Sequence, residues 1–370
     1  MNKPWMMALI VTLLFGCLAA RELTIPLTGE NEVIDLNYSH LQVDSQGRIY
    51  LADRRNSRIL VFSSSGERLA AFGKAGEGPG DFKRWFGSFA ITEDDRVLQI
   101  DSWGGNRSIS CFSADGKLLW VHKIQKEGYF GTEAIYPLKD GRLILEIGYG
   151  MKQTPKGELL FMGTQSTFFL ADEQGKLDTE LHTEILYSDF SDQSGRGWPR
   201  LPFQVERISA FDPLSNRLAY QKTNEAKVHI LNLTDMKTTD IGNGFSVKPL
   251  TSDLVRAEVR EMMKQRGREQ FTDMYKKLQT AGATIESHLP IVSALNFTDK
   301  GDLLIGCFEE ETKKWTLFIL DTQLKLNGPK KSDYFPSVIR NGEVYSLCHS
   351  EEEDIYLIQI EPWIYRIGSL

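Results

Sequence analysis

The chain repeats itself, and the repeat decides most of what it can fold into. Residues 41–53 read Leu-Gln-Val-Asp-Ser-Gln-Gly-Arg-Ile-Tyr-Leu-Ala-Asp; Ser57 to Phe62 follow, then Ser65-Gly66-Glu67-Arg68, then Leu69 to Phe72. Short runs of Ile, Val, Leu, Phe and Tyr alternate with Gly, Ser and Asp, so the unit reads as four antiparallel strands joined by tight reversals. The same grammar returns at Phe89 to His122, Ile135 to Ala171, Ile208 to Leu231, Val292 to Leu320 and Ser337 to Ile360. The first reversal of each unit centres on Gly47, Asp95, Gly141, Asn216, Gly301 or Gly342. These residue types best tolerate positive φ. Six consecutive four-stranded sheets cannot bury both faces alone, but set radially each packs on its neighbours. A repeat of about 42–50 residues favours that wheel over one large sandwich. The prediction is an all-β, six-bladed β-propeller of four-stranded antiparallel blades. The segment Glu22 to Pro26 precedes the first unit and is placed to complete the last sheet.

Units one and two resemble NHL repeats. The matching residues are Val43-Asp44, Gly47 to Asp53, Asn56 to Phe62, and Phe72-Gly73 followed by Gly76-Glu77-Gly78-Pro79-Gly80-Asp81-Phe82. Where that family places a Pro after Phe82, Lys83-Arg84-Trp85 follows here. Units three to six match in pattern only. The mature chain is similar to exported bacterial six-bladed propeller proteins, many of them lipoproteins, and the resemblance implies the fold without an activity.

Residues 1–20 form a signal peptide. Lys3 gives the positive start, and Trp5 to Phe15 an apolar stretch too short to span a membrane. Leu14-Phe15-Gly16-Cys17 resembles a bacterial lipobox, which implies acylation of Cys17 and a membrane tether without a spanning helix. The other reading is ordinary cleavage after Ala19 or Ala20. Residues 21–370 are then the propeller.

The elaborations gather on one side. In a radial meander the first-to-second and third-to-fourth strand turns share one end; the remaining connections share the other. The long segments, 73–88, 148–164, 182–206 and 241–290, all belong to the second group. Long connections concentrated on one face mark it as the binding face. The largest contains a predicted helical insertion, 246–288, between blades 4 and 5. There Leu254, Val255, Val259, Met262, Met263, Phe271, Met274 and Leu278 recur at helical steps. It reads as a hairpin packed on the propeller, or as a lid or partner-binding helix.

Charge and side-chain chemistry narrow the function. There are 43 Lys and Arg against 50 Asp and Glu, a net charge of −7, which argues against general nucleic-acid binding. Arg54, Arg55, Arg84, Trp85, Trp103, Trp198 and Arg200 lie in loops of the insertion-bearing face, and aromatics with Arg anchor protein or sugar recognition. Glu309 to Glu311 and Glu351 to Asp354 put acidic runs on the same face. Asp53 and Asp101, six residues past their turns, are expected to hydrogen-bond the loops that follow. Cys111, Cys307 and Cys348 read as buried free thiols, the last two too far apart to bridge. His40, His288 and His349 could approach the axis, where a three-His metal site is thinkable. No Gly-x-Ser-x-Gly, P-loop, dinucleotide fingerprint or Cys-x-x-Cys occurs. The expectation is an exported bacterial envelope protein, lipid-anchored or periplasmic, binding an envelope protein or a small ligand such as a glycan. No cofactor is predicted, and a non-enzymatic role is favoured. The alternative is a Ca- or Zn-dependent propeller hydrolase or lyase with its site in the axial channel.

Overall fold

The computed structural model describes residues 23–27, 40–53, 56–82, 86–101, 107–124, 129–156, 159–192, 207–222, 225–242, 292–309, 312, 314–350 and 355–362. One strand, β1 (Leu23–Leu27), comes before the repeats. Blade 1 is β2 (Leu41–Val43), β3 (Ile49–Asp53), β4 (Arg58–Phe62) and β5 (Arg68–Phe72). Blade 2 is β6 (Phe86–Ile91), β7 (Val97–Asp101), β8 (Ser108–Phe112) and β9 (Leu118–Lys123). Blade 3 is β10 (Tyr129–Pro137), β11 (Leu143–Lys156), β12 (Leu159–Ala171) and β13 (Leu177–Asp192). Blade 4 is β14 (Arg207–Asp212), β15 (Arg217–Lys222), β16 (Lys227–Asn232) and β17 (Lys237–Gly242). Blade 5 is β18 (Ala294–Phe297), β19 (Leu303–Glu309), β20 (Lys314–Leu320) and β21 (Leu326–Ser332). Blade 6 is β22 (Val338–Arg340), β23 (Glu343–Ser350) and β24 (Ile355–Pro362), completed by β1.

The sheets close into a ring because every seam between successive blades holds an apolar cluster. Blades 1 and 2 enclose Tyr50, Ile59, Phe82 and Phe89. Blades 2 and 3 enclose Ile100, Ile109 and Leu145. Ile144, Phe168 and Leu218 lie between blades 3 and 4, and Ala219, Val228 and Ile305 between 4 and 5. Leu304, Ile339 and Val344 join blades 5 and 6. Ile25, Ile49, Tyr345 and Ile358 join blade 6 to blade 1. The chain is a six-bladed β-propeller. β1 pairs with β24 from Leu23↔Ile360 to Leu27↔Tyr356, so the segment ahead of the repeats locks the wheel as expected.

The first reversal of every blade takes positive φ: Gly47 (76°), Asp95 (62°), Gly141 (85°), Asn216 (51°), Gly301 (84°) and Gly342 (75°). These turns touch around the ring. Ser45 donates through its N and Oγ to Asp95 at 2.8 and 2.6 Å. Arg217 donates to the Gly301 carbonyl, Gly342 N to Asp299 at 3.4 Å, and Arg340 to the Val43 carbonyl at 2.8 Å. We call this the turn end, and the other the insertion end. The glycine-rich string after β5 also has a packing reason. A Cβ on Gly73 would stand 2.3 Å from the Phe82 ring, which lies fully buried in the first seam.

Two expectations need correction. Residues 148–164 are not a loop interrupting blade 3: β11 and β12 pair through to Lys156↔Leu159, and β13 continues beside them to Asp192. Gly148, Gly150, Pro155 and Gly163 read as loop punctuation, but cross-strand pairing overrides that local signal. Segment 182–206 is accordingly strand as far as Asp192. β11 runs nine residues past Ile147, the position at which β3 and β7 stop, so a three-stranded tongue reaches about 30 Å beyond its neighbours' strand ends. The predicted helical insertion, 246–288, lies outside the described residues.

Ile25 is 4% exposed, whereas Leu69 on the rim is 51% exposed. Ile25→Ala should cost about 2–5 kcal/mol in urea unfolding, and Leu69→Ala within about 0.5 kcal/mol.

Candidate functional site

The insertion end is built differently from the turn end. Toward the insertion end the second strands of five blades carry buried polar side chains, Asp53, Gln99, Asp101, Glu146, Gln221 and Ser346. Asp53 accepts from Asn56 N at 3.2 Å, from Asn56 Nδ2 at 2.8 Å and from Arg58 Nε at 2.8 Å, which fixes the base of the next loop as expected. Gln99 Oε1, Gln221 Oε1 and Ser346 Oγ have no partner among the described residues. Buried oxygens of that kind are places for water or a ligand to bind.

The densest polar cluster crosses the seam between blades 3 and 4. Arg207, its side chain fully buried, donates through Nε to Glu146 Oε1 at 2.7 Å and through Nη1 to the Ser166 carbonyl at 3.2 Å. Ser209 donates to Glu146 Oε2 at 3.0 Å and lies 2.8 Å from the Tyr136 hydroxyl. Burial, and then the Glu146 charge, push the Tyr136 phenol well up, so it stays neutral. The Arg207 guanidinium also lies 4.0 Å over the Phe168 ring. Further out, Tyr220 sits between His182 (4.5 Å) and His229 (5.2 Å). Lys222 reaches across the seam to Glu184 at 3.5 Å. His229 is clamped by Asp240 at 2.8 Å and Glu225 at 3.0 Å. Burial opposes its charge, but the two carboxylates outweigh burial and raise its pKa above 6.5.

The described residues carry little else for catalysis. Burial pushes the Cys111 thiol up to about 11, and burial with Glu309 pushes Cys307 to about 12, so both stay protonated. None of the three described cysteines forms a disulfide; Cys111 is buried and the other two are half-buried. Glu309, first of an acidic run, is committed to Lys331 and to Thr316 Oγ1 at 2.9 Å, which hold its carboxyl at about 2. Among the described residues no group of three or more His, Cys, Asp or Glu is placed to hold a metal. His40 is exposed ahead of β2, its carbonyl accepting from Ala52 N at 2.9 Å. His288 and the side chain of His349 lie outside the described residues, as do Arg54, Arg55, Arg84, Trp85, Trp103, Trp198, Arg200 and Cys17. What the structure fixes is their attachment: all seven loop residues belong to connections leaving the insertion end.

Sequence reasoning passed over the seam between blades 3 and 4. Its one legible mark is a charged Glu146 inside the apolar run Leu143-Ile-Leu-Glu-Ile147; Arg207 and Ser166 come from other strands, and only the packing brings them there.

At the turn end, blades 2 and 3 leave a cavity of about 420 Å³. Leu98, Trp120, Pro137, Leu138 and Leu143 supply its apolar lining.

Comparison with known proteins agrees with the fold. Residues 24–159 match the model of a family described as a 6-bladed beta-propeller, DUF5128. A Bacteroides fragilis NCTC 9343 protein, BF0058, named as a candidate exported protein, is 13% identical; the alignment covers 92% of this chain and 94% of that one, with a TM-score of 0.53. A DUF4221 family member from Bacteroides vulgatus ATCC 8482 is 9% identical over 92% of this chain and 96% of that one, with a TM-score of 0.52. At these identities the likeness shows the fold. No curated protein matches the sequence.

Glu146→Leu or Arg207→Met alone strands a buried charge and should cost about 3–5 kcal/mol, while the double variant should lose clearly less than the sum. A double-mutant cycle by chemical unfolding measures this. The His229 contribution should be fully present below about pH 6.5 and be lost as pH rises through its raised folded value. His229→Gln should flatten that decline in unfolding curves from about pH 6 to about pH 9.

Proposed function

We propose that this chain is an exported bacterial protein, tethered to an envelope membrane through acylated Cys17, that binds a partner protein or small ligand on its insertion end. One observation carries the binding reading. The connections at the turn end are short reversals, whereas every long connection, the tongue of blade 3 and the buried oxygens of Gln99, Gln221 and Ser346, which have no partner among the described residues, lie toward the other. Functional loops concentrate on a rigid scaffold in this way. Export is supported by residues 1–20 and by the name given to the Bacteroides fragilis neighbour. Among the described residues no helix is long and apolar enough to cross a membrane.

The tether and the binding face fit together. β1 runs antiparallel to β24, so Leu23 lies at the turn end and Leu27 at the insertion end. Five residues, Leu18 to Glu22, separate Cys17 from β1. Even fully extended, they span about 20 Å. A lipid on Cys17 therefore holds the turn end near the bilayer and turns the insertion end away from it, toward partners. Cys17→Ser should move the protein from the membrane to the soluble fraction; retention in the membrane would end the tether reading. Photo-crosslinking groups at Arg84 and Trp198 should trap a discrete partner in intact cells, and one at the exposed turn residue Gln46 should not. Capture from Gln46 alone would put the binding face at the wrong end.

A further inference from the structure

We propose that the cavity between blades 2 and 3 at the turn end binds a small organic cation with an aromatic or other apolar body. This site lies at the opposite end from the docking face above and does not depend on it. Its origin is a local exchange of side chains between neighbouring seams. In blade 1 the third residue after the turn is Tyr50. Its hydroxyl lies 3.1 Å from Asp44 of its own turn and 3.0 Å from the Ala114 carbonyl of the next blade, so it plugs the mouth of that seam. In blade 2 the same position holds Leu98, which has no ring and no hydroxyl to reach blade 3. Across the strands, Tyr50 aligns with Val61 and Ala70, whereas Leu98 aligns with Cys111 and Trp120. The bulk has moved outward, and a lined space of about 420 Å³ remains between the blades, within the range of small-molecule clefts.

The charges around the mouth choose the ligand. Arg96 is held by Asp94 at 2.7 Å. Asp140 is held by Arg142 at 2.7 Å. Lys139 and Glu93 face each other across the two blades at 4.0 Å. Glu173, exposed on the third-to-fourth strand turn of blade 3, makes no ion pair among the described residues. With Arg142 counted beside its partner Asp140, four carboxylates (Glu93, Asp94, Asp140, Glu173) face three cations (Arg96, Lys139, Arg142), and Glu173 is the one in excess. A cation can pair with Glu173 while its apolar body displaces water from Leu98 and Trp120; an anion meets the excess carboxylate of Glu173.

The test titrates the full-length mature protein with three indole probes of similar size: tryptamine (cation), 3-methylindole (neutral) and indole-3-acetate (anion). Calorimetry and ligand-observed NMR give the affinities. Tryptamine should bind saturably, 3-methylindole about tenfold more weakly, and indole-3-acetate not measurably. Leu98→Tyr, which restores the plug of the first seam, should abolish tryptamine binding. Glu173→Gln, at an exposed position that leaves folding intact, should lower tryptamine to the level of the neutral probe. The proposal fails if no probe saturates up to about 10 mM. It fails equally if the anion binds as well as the cation. Unchanged affinity in Glu173→Gln, or in a Leu98→Tyr protein with an unaltered melting curve, also overturns it.

Discussion

The pairing of β1 with β24 is the contact on which the rest of this structure depends. A propeller blade has two apolar faces and no way to cover them alone, so six seams must close together or none is secure. Five form without help from outside the repeats, four of them between blades that are whole in sequence. The sixth needs a strand from before the first repeat, carrying Ile25 and Leu27 into the core with Tyr345 and Ile358. Pairing the first described strand with the last also shields the outer edge of β24, which would otherwise be open to other chains. Closure here is a long-range event, and it fixes which end of the wheel Leu23 stands at.

The two ends have different tasks. At the turn end the chain reverses within a few residues, with φ positive at the six equivalent positions, and the turns bond from blade to blade. Little can be inserted there without breaking the ring of contacts. The insertion end has no such ring among the described residues, and its second strands finish in polar side chains. Growth of the chain is tolerated at that end, and loops can be elaborated there without disturbing closure.

Much of the wheel was legible because each signal was local. Gly47, Gly141, Gly301 and their Asp and Asn counterparts announce the reversals, and the inner strands are apolar enough to be seen as runs. The outermost strands of blades 3 to 5 were not legible. β17, Lys-Thr-Thr-Asp-Ile-Gly, is exposed over its first four residues, so burial imposes no hydrophobic pattern on it. β21 carries Gly328 and Pro329 and reads as a loop until pairing with β20 is known. The tongue of blade 3 failed for a different reason: Gly148, Gly150, Pro155 and Gly163 read locally as a loop, and only the pairing of β11, β12 and β13 makes the segment strand. The candidate site was legible only as loops attached to one face; the cluster around Glu146 joins residues up to 73 positions apart and has no local signature.

The seam between blades 3 and 4 joins these two themes. Its lower half is apolar like the others, with Ile144, Phe168 and Leu218, and its upper half carries the buried pair of Glu146 and Arg207. Apolar residues of similar volume would seal that half at least as well, because desolvation offsets much of an ion pair's attraction. What the pair adds is direction. Arg207 contacts Glu146, Ser166 and Phe168 in one arrangement, and a slip of either strand by one residue would turn a charge to the wrong face of the sheet. The pair sits at the root of the tongue, the one part of the wheel that leaves its neighbours behind. A seam that merely excluded water could let the blade rotate slightly against the next, and over about 30 Å a small rotation becomes a large displacement at the tip. A directional lock at the base is the physical requirement for holding such an extension in register with the loops around it.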